Sequence, residues 1–173
     1  MMRAILAGLI LASGLGLAGC SKKSPPPPYN LTGTVKDLMA GIVDPQAQVF
    51  WHSSGANDTA EGSQTLTPTT PEGWAAAEHS MTAVAEAGNL LMMPGRARDD
   101  GDWMKYAKAM TDTALQARAA TRAKNGDKMF ETGAALYDTC QQCHQKYLLP
   151  FLDENGKPKP GSPLAGAAPA KGG

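Results

Sequence analysis

The sequence predicts an all-α protein, a four-helix bundle of mostly up-down-up-down connectivity. Three observations carry that expectation. Apolar residues recur at steps of three and four in four separate stretches between residues 31 and 149. Residues that end or start helices stand between those stretches. β-branched residues are sparse and no alternating strand pattern is visible.

The first stretch aligns Leu31, Val35, Leu38, Ile42 and Val49 on one stripe, which Asp44-Pro45 interrupts. A kink, or a division into two short helices, is expected there. A long polar loop from Ser53 to Gly73 comes next. The second helix starts near Pro71, turns Trp74, Ala77, Met81, Val84, Gly88 and Leu91 inward, and ends at Pro94-Gly95. The third spans about Asp99 to Asn125 with Trp103, Ala107, Met110, Ala114 and Ala117 inward. Asp99, Asp100 and Asp102 cap its start and complement its dipole. Gly126 is the expected turn and Asp127 the N-cap of the fourth helix, whose stripe is Met129, Gly133, Leu136, Cys140, Cys143 and Tyr147. Alanine and glycine at so many inward positions permit close approach of helices, or leave room for something flat.

The two ends read differently from this core. Arg3 precedes an apolar run from Ala4 to Leu17 that closes on Ala18, Gly19 and Cys20, the layout of a secretory signal over residues 1–19. The run is too short to span a bilayer. Its end, "LAGC", resembles the bacterial lipobox, which implies acylation of Cys20 and cleavage before it. Ser21 in that context implies sorting to the outer membrane of a Gram-negative bacterium, with the protein facing the periplasm. Several acyl chains anchor stably, so a membrane-tethered protein is expected. Residues 20–30 form a proline-rich spacer and 31–149 the folded domain. Residues 150–173, rich in Pro, Gly, Ala and Lys, read as a disordered tail. Sixteen basic and sixteen acidic residues balance, so no nucleic-acid footprint is visible.

Chemistry concentrates at Cys140-Gln141-Gln142-Cys143-His144. Two thiols three residues apart on a helix can form thioethers to the two vinyl groups of a haem, and the adjacent histidine can bind the iron axially. A redox dithiol would expect a preceding strand and a βαβ setting, which are missing. Zinc needs a fourth ligand, and His52 and His79 lie in other segments without paired spacing. A disulfide would account for the cysteines but not for His144.

A four-helix chain carrying "LYDTCQQCHQKY" near the end of its last helix resembles the cytochrome c′ family, the class II c-type cytochromes. "LMAGIVDPQAQVFW" and "NLLMMPGR" are similar to segments of exported class II-like lipoproteins. The resemblance implies one covalent haem c held by Cys140 and Cys143, with His144 as proximal iron ligand. Tyr147 matches an aromatic residue common three positions later. Where the family often has Arg or Lys beside the proximal pocket, this chain has Leu148, and Lys146 lies on another face. A methionine early in the first helix binds the sixth position in some members, and Met39 fits it best. Strict helical register instead favours Leu38 inward, so the helix would need a modest rotation. An open sixth position in an apolar pocket is the other expectation.

Bundle topology places the tops of the first three helices around that haem, where Trp103 could lie against the porphyrin. Arg96 and Arg98 could pair with a propionate through a forked guanidinium. His52 and His79 are expected as surface residues. The leading expectation is one-electron transfer with redox partner proteins rather than enzymatic catalysis. The alternative is a five-coordinate haem that binds nitric oxide or carbon monoxide. Peroxidase-like chemistry would need a distal His or Arg, and none falls at that level of the first helix. Class II proteins often pair, so a homodimer is also a candidate.

Overall fold

A computed structural model describes residues 28–164. The apolar run before Cys20, Cys20 itself and the end of the expected tail from residue 165 lie outside the described residues. Contacts divide the chain at Asn30, and the unit that begins at Leu31 is mostly helical.

Its first helical run is built in three pieces: α1 (Val35–Leu38), a π turn (Met39–Val43) and α2 (Asp44–Trp51). Thr34 starts it with a capping box, its hydroxyl accepting from the Asp37 N–H while the Thr34 N–H donates to the Asp37 carboxylate at 2.8 Å. A two-stranded antiparallel hairpin comes next, β1 (Ala56–Thr59) and β2 (Gly62–Thr65). Then come α3 (Pro71–Met92), α4 (Asp102–Arg122), α5 (Gly126–Tyr147) and a short 3-10 turn (Leu149–Phe151). Pro71 occupies the first turn of α3, and the Thr70 hydroxyl caps it by accepting from Gly73 N–H. α4 begins under Asp99, whose Oδ1 accepts from the backbone of Gly101 and Trp103 at 2.9 and 3.1 Å.

The core lies between helices. Phe50, Met81, Val84, Ala114, Ala117, Met129 and Leu136 are fully buried. α3 packs along α4, α4 against α5, and α2 against both α3 and α5. Small residues set the spacing. A Cβ on Gly88 would stand 2.0 Å from the Thr111 hydroxyl and 3.0 Å from the Ala107 carbonyl, so α3 and α4 approach as closely as they do only because Gly88 has none. Gly133 has a milder part in α5, where a Cβ would stand 3.3 Å from Phe50 and from the Trp51 ring, and Trp51 Nε1 donates to its carbonyl at 3.0 Å.

Four local expectations are corrected. The polar loop contains a hairpin, which escaped a search for alternation because all eight of its strand residues are exposed and no face needs to be apolar. The cap of α5 is Asn125, accepting from Lys128 N–H at 2.9 Å, rather than Asp127. The left-handed residue of that turn is Lys124, at φ 52°, while Gly126 is already helical and sits under Thr67. The inward stripe of the first run passes through Val43, Ala47 and Phe50, leaving Ile42 and Val49 at 37% and 38% exposure. The π turn adds one residue to the helix, and the register shifts by one after it. Beyond α5, residues of the expected tail hold a local turn as far as 164, with Asp153 N–H donating to Lys157 O and Lys159 N–H to Phe151 O, each at 2.8 Å.

Candidate functional site

Cys140, Cys143 and His144 occupy the last two turns of α5, all three half-buried on the stripe that Met129 and Leu136 continue into the core. Their side chains line one small cavity, about 40 Å³, together with Thr139 from the same helix. The opposite walls are Met39 and Val43 from the two ends of the π turn, Leu91 from α3, and Trp103, Tyr106, Ala107 and Met110 from α4. Apart from the thiols, the imidazole, the Thr139 and Tyr106 hydroxyls and the Trp103 indole N–H, this lining offers only hydrocarbon and thioether.

That environment sets the state of the three groups. Both cysteines are free thiols. Burial pushes the Cys140 thiol up, and burial with the neighbouring Cys140 pushes Cys143 up to about 11. Both are therefore protonated at neutral pH. Burial lowers His144, which keeps the imidazole neutral and able to give a nitrogen lone pair to a metal. Among the described residues no three His, Cys, Asp or Glu side chains converge as an ion-binding group.

The turn that carries His144 is latched to the start of α4. Tyr147 donates its hydroxyl to Asp99, the carboxylate that also caps α4, and Lys146 pairs with Asp102. The Tyr147 ring stands edge-on to Trp103 at 5.0 Å and to Tyr106 at 6.3 Å. Trp103 is itself fixed, its indole N–H donating to the Leu91 carbonyl at 2.8 Å. Three of the cavity's walls are thus tied to one another by hydrogen bonds and ring packing. Lys146 is occupied by Asp102 and does not line the cavity.

Of the residues expected at this level, Met39, Trp103, Cys140, Cys143 and His144 come together around the cavity. Arg96 does not line it. Its side chain is nearly enclosed at 8% exposure, one terminal nitrogen donating to Thr32 O at 3.1 Å, while Nε has no hydrogen-bond partner among the described residues. The other terminal nitrogen lies 3.7 Å from the Met93 sulfur. Arg98, His52 and His79 are exposed. Val43 and Thr139 were not expected as walls. Val43 was hidden by the register change, whose one sequence signal is Asp44-Pro45 immediately after it.

Comparison with known protein families, with curated proteins and with solved structures finds no match for the chain.

Proposed function

We propose that the protein is a c-type cytochrome, similar to the class II family, that carries one covalent haem and transfers single electrons. The observation that supports this reading is the shared cavity, with two protonated thiols and a neutral imidazole on one apolar wall and a thioether on the wall from the first helix. Bound haem supplies a one-electron iron couple. Cys140 and Cys143 would hold it through thioether bonds, each thiol adding across one vinyl group. His144 and, from the facing wall, Met39 would be the residues that give the iron its protein ligands. Trp103, Leu91 and Met110, which line the cavity, would keep water from a group bound there. Arg96 would donate to a propionate, its unpartnered Nε being the feature that favours it over the exposed Arg98. The Tyr147–Asp99 latch would hold the turn bearing His144 in place when a group is bound.

The architecture belongs to the same proposal. Leu91 with Trp103, Gly88 with Thr111, and Glu78 with Arg118 and Arg122 pair opposite ends of α3 and α4. Asp99 with Tyr147 and Asp102 with Lys146 do so for α4 and α5. These pairings support an up-down-up-down four-helix bundle with the haem near the end of the last helix. Acylated Cys20 would anchor the domain to the outer membrane from the periplasmic side, where it meets redox partner proteins, as a monomer or a homodimer.

The second reading is a five-coordinate haem that binds nitric oxide or carbon monoxide. The observation favouring it is a cavity whose distal walls offer no cationic donor and little beyond hydrocarbon. One experiment separates the two and tests both. The chain is expressed with its leader in a host that matures c-type cytochromes, and the mass and the ferric and ferrous spectra are recorded for wild type, Met39→Ala and Cys140→Ser/Cys143→Ser. Electron transfer through Met39 expects a covalent haem adduct and a low-spin spectrum with a weak sulfur-to-iron band that Met39→Ala abolishes. A high-spin wild type that responds to carbon monoxide would select the gas-binding reading. A wild type without the adduct would sink the proposal.

A further inference from the structure

The buried stripe of the first helical run changes in mid-helix. Val35 and Leu38 belong to a series whose next α-helical positions are Ile42 and Val49, yet both of those are exposed. The residues buried after the π turn are Val43, Ala47 and Phe50. Counted backwards, they step by three, four and four to Met39, so 39, 43, 47 and 50 form an unbroken α-helical series of their own. Leu38 is the last residue of the first series and Met39 the first of the second, and the π turn begins between them.

In a regular helix these neighbours point about 100° apart. Met39 would then flank a stripe centred on Leu38. The extra residue of the π turn rotates the inward direction toward Met39, and both ends of the turn, Met39 and Val43, line the cavity. The backbone tolerates this cheaply. Asp44 N–H donates to the Met39 carbonyl, the π pattern, and the next residue, Pro45, has no N–H to give to Gly41 in any register. Gly41, in the middle of the turn, faces outward, and a Cβ there would meet nothing within 4 Å.

We infer that the π turn is a positioning device that decides which kind of distal group the cavity receives: the thioether of Met39, or the hydrocarbon of Leu38. The inference rests on the haem reading above and deepens it, because it makes the choice between electron transfer and gas binding a matter of one inserted residue.

The test uses the matured, haem-loaded full chain. Deletion of Gly41 restores a single stripe through Val35, Leu38, Val43, Ala47 and Phe50 without removing any packed side chain. The swap Leu38→Met/Met39→Leu keeps length and nearly keeps volume, and moves the sulfur onto the first series. Gly41→Ala keeps the residue count. Far-UV circular dichroism checks the fold, and absorption spectra with and without carbon monoxide report the distal side. The deletion and the swap should each lose the sulfur-to-iron band as completely as Met39→Ala does and gain a carbon monoxide response, while Gly41→Ala keeps the wild-type spectrum. If Met39→Ala loses the band but the deletion and the swap retain it, the positioning role is overturned and the haem reading stands. Should the deletion fail to fold, the swap decides alone. A covalent haem without the band in wild type overturns the role of the turn together with Met39, and no covalent haem overturns both this inference and the reading beneath it.

Discussion

Where α3 meets α4, two regular helices are held close by small residues, with Gly88 beneath Thr111 and Ala77, Ala107, Ala114 and Ala117 all buried. Where the first helical run meets α5, the helix is broken by a π turn, and half-buried thiols and an imidazole replace alanine on the stripe. Both regions follow the same apolar periodicity. They differ in what occupies it, and in whether the backbone keeps its register. A wall that only packs can be read as a list of sizes; a wall that holds reactive groups in the apolar stripe, beside a register defect, cannot.

That contrast can be broken by substitution, and the largest effect should come from the irregular side. Phe50 is fully buried against Gly133, at the end of that wall away from the cavity. If this end is pure packing, Phe50→Ala should cost about 3–5 kcal/mol, as truncated core aromatics do, measured by urea unfolding. A loss below about 1 kcal/mol would mean that the whole first run is loosely held, with no packed end to set against its cavity end.

Two glycines sharpen the comparison at intermediate size. Gly88→Ala forces a methyl group into the Thr111 hydroxyl and should destabilise by about 1–3 kcal/mol. Gly41→Ala meets open space and should be neutral or stabilise by up to about 1 kcal/mol, because alanine loses less backbone freedom on folding. Equal effects in a denaturant series would show that the α3–α4 wall yields as easily as the π turn.

The smallest expected effect is electrostatic and lies at the far end of α3 and α4. Glu78 accepts from Arg122 at 2.6 Å and lies 3.3 Å from Arg118. Chiefly through the Arg122 hydrogen bond, its carboxyl is held below the ordinary glutamate value. A lowered folded value means that the unfolded chain binds the proton first. The pair's contribution is then fully present above the ordinary glutamate pKa of about 4.3 and is lost as pH falls through the lower folded value. Glu78→Gln should flatten the acid side of the urea midpoint against pH, and salt should shrink the difference, since Arg122 is mostly exposed. An unchanged acid slope would mean that the contact adds nothing to stability.

Most of the helical plan was legible because it depends on periodicity and punctuation. The inward residues of α3 and α4, the start at Pro71 and the stripe of α5 are all written in spacing. The helix phase likewise placed both cysteines of the C-x-x-C-H cluster on the stripe. What escaped has a common cause. The hairpin buries nothing, so no pattern marks it. The cap of α5 and the left-handed Lys124 depend on roughly a few tenths of a kilocalorie among adjacent polar residues. The register change at Met39 leaves both competing series apolar, so Ile42 and Val49 look as suitable for the core as Val43 and Phe50 do. Only packing against α3 and α5 decides between them.

The exposed hairpin from Ala56 to Thr65 has a practical consequence. It closes on itself through a two-residue turn, with Leu66 N–H bonded back to Gly55 O, and none of its strand side chains is buried. Lengthening it changes little beyond loop-closure entropy, which grows only logarithmically with length. It is therefore the natural port for an inserted fluorophore, affinity tag or fused domain, joined to the protein without involving the packed helices.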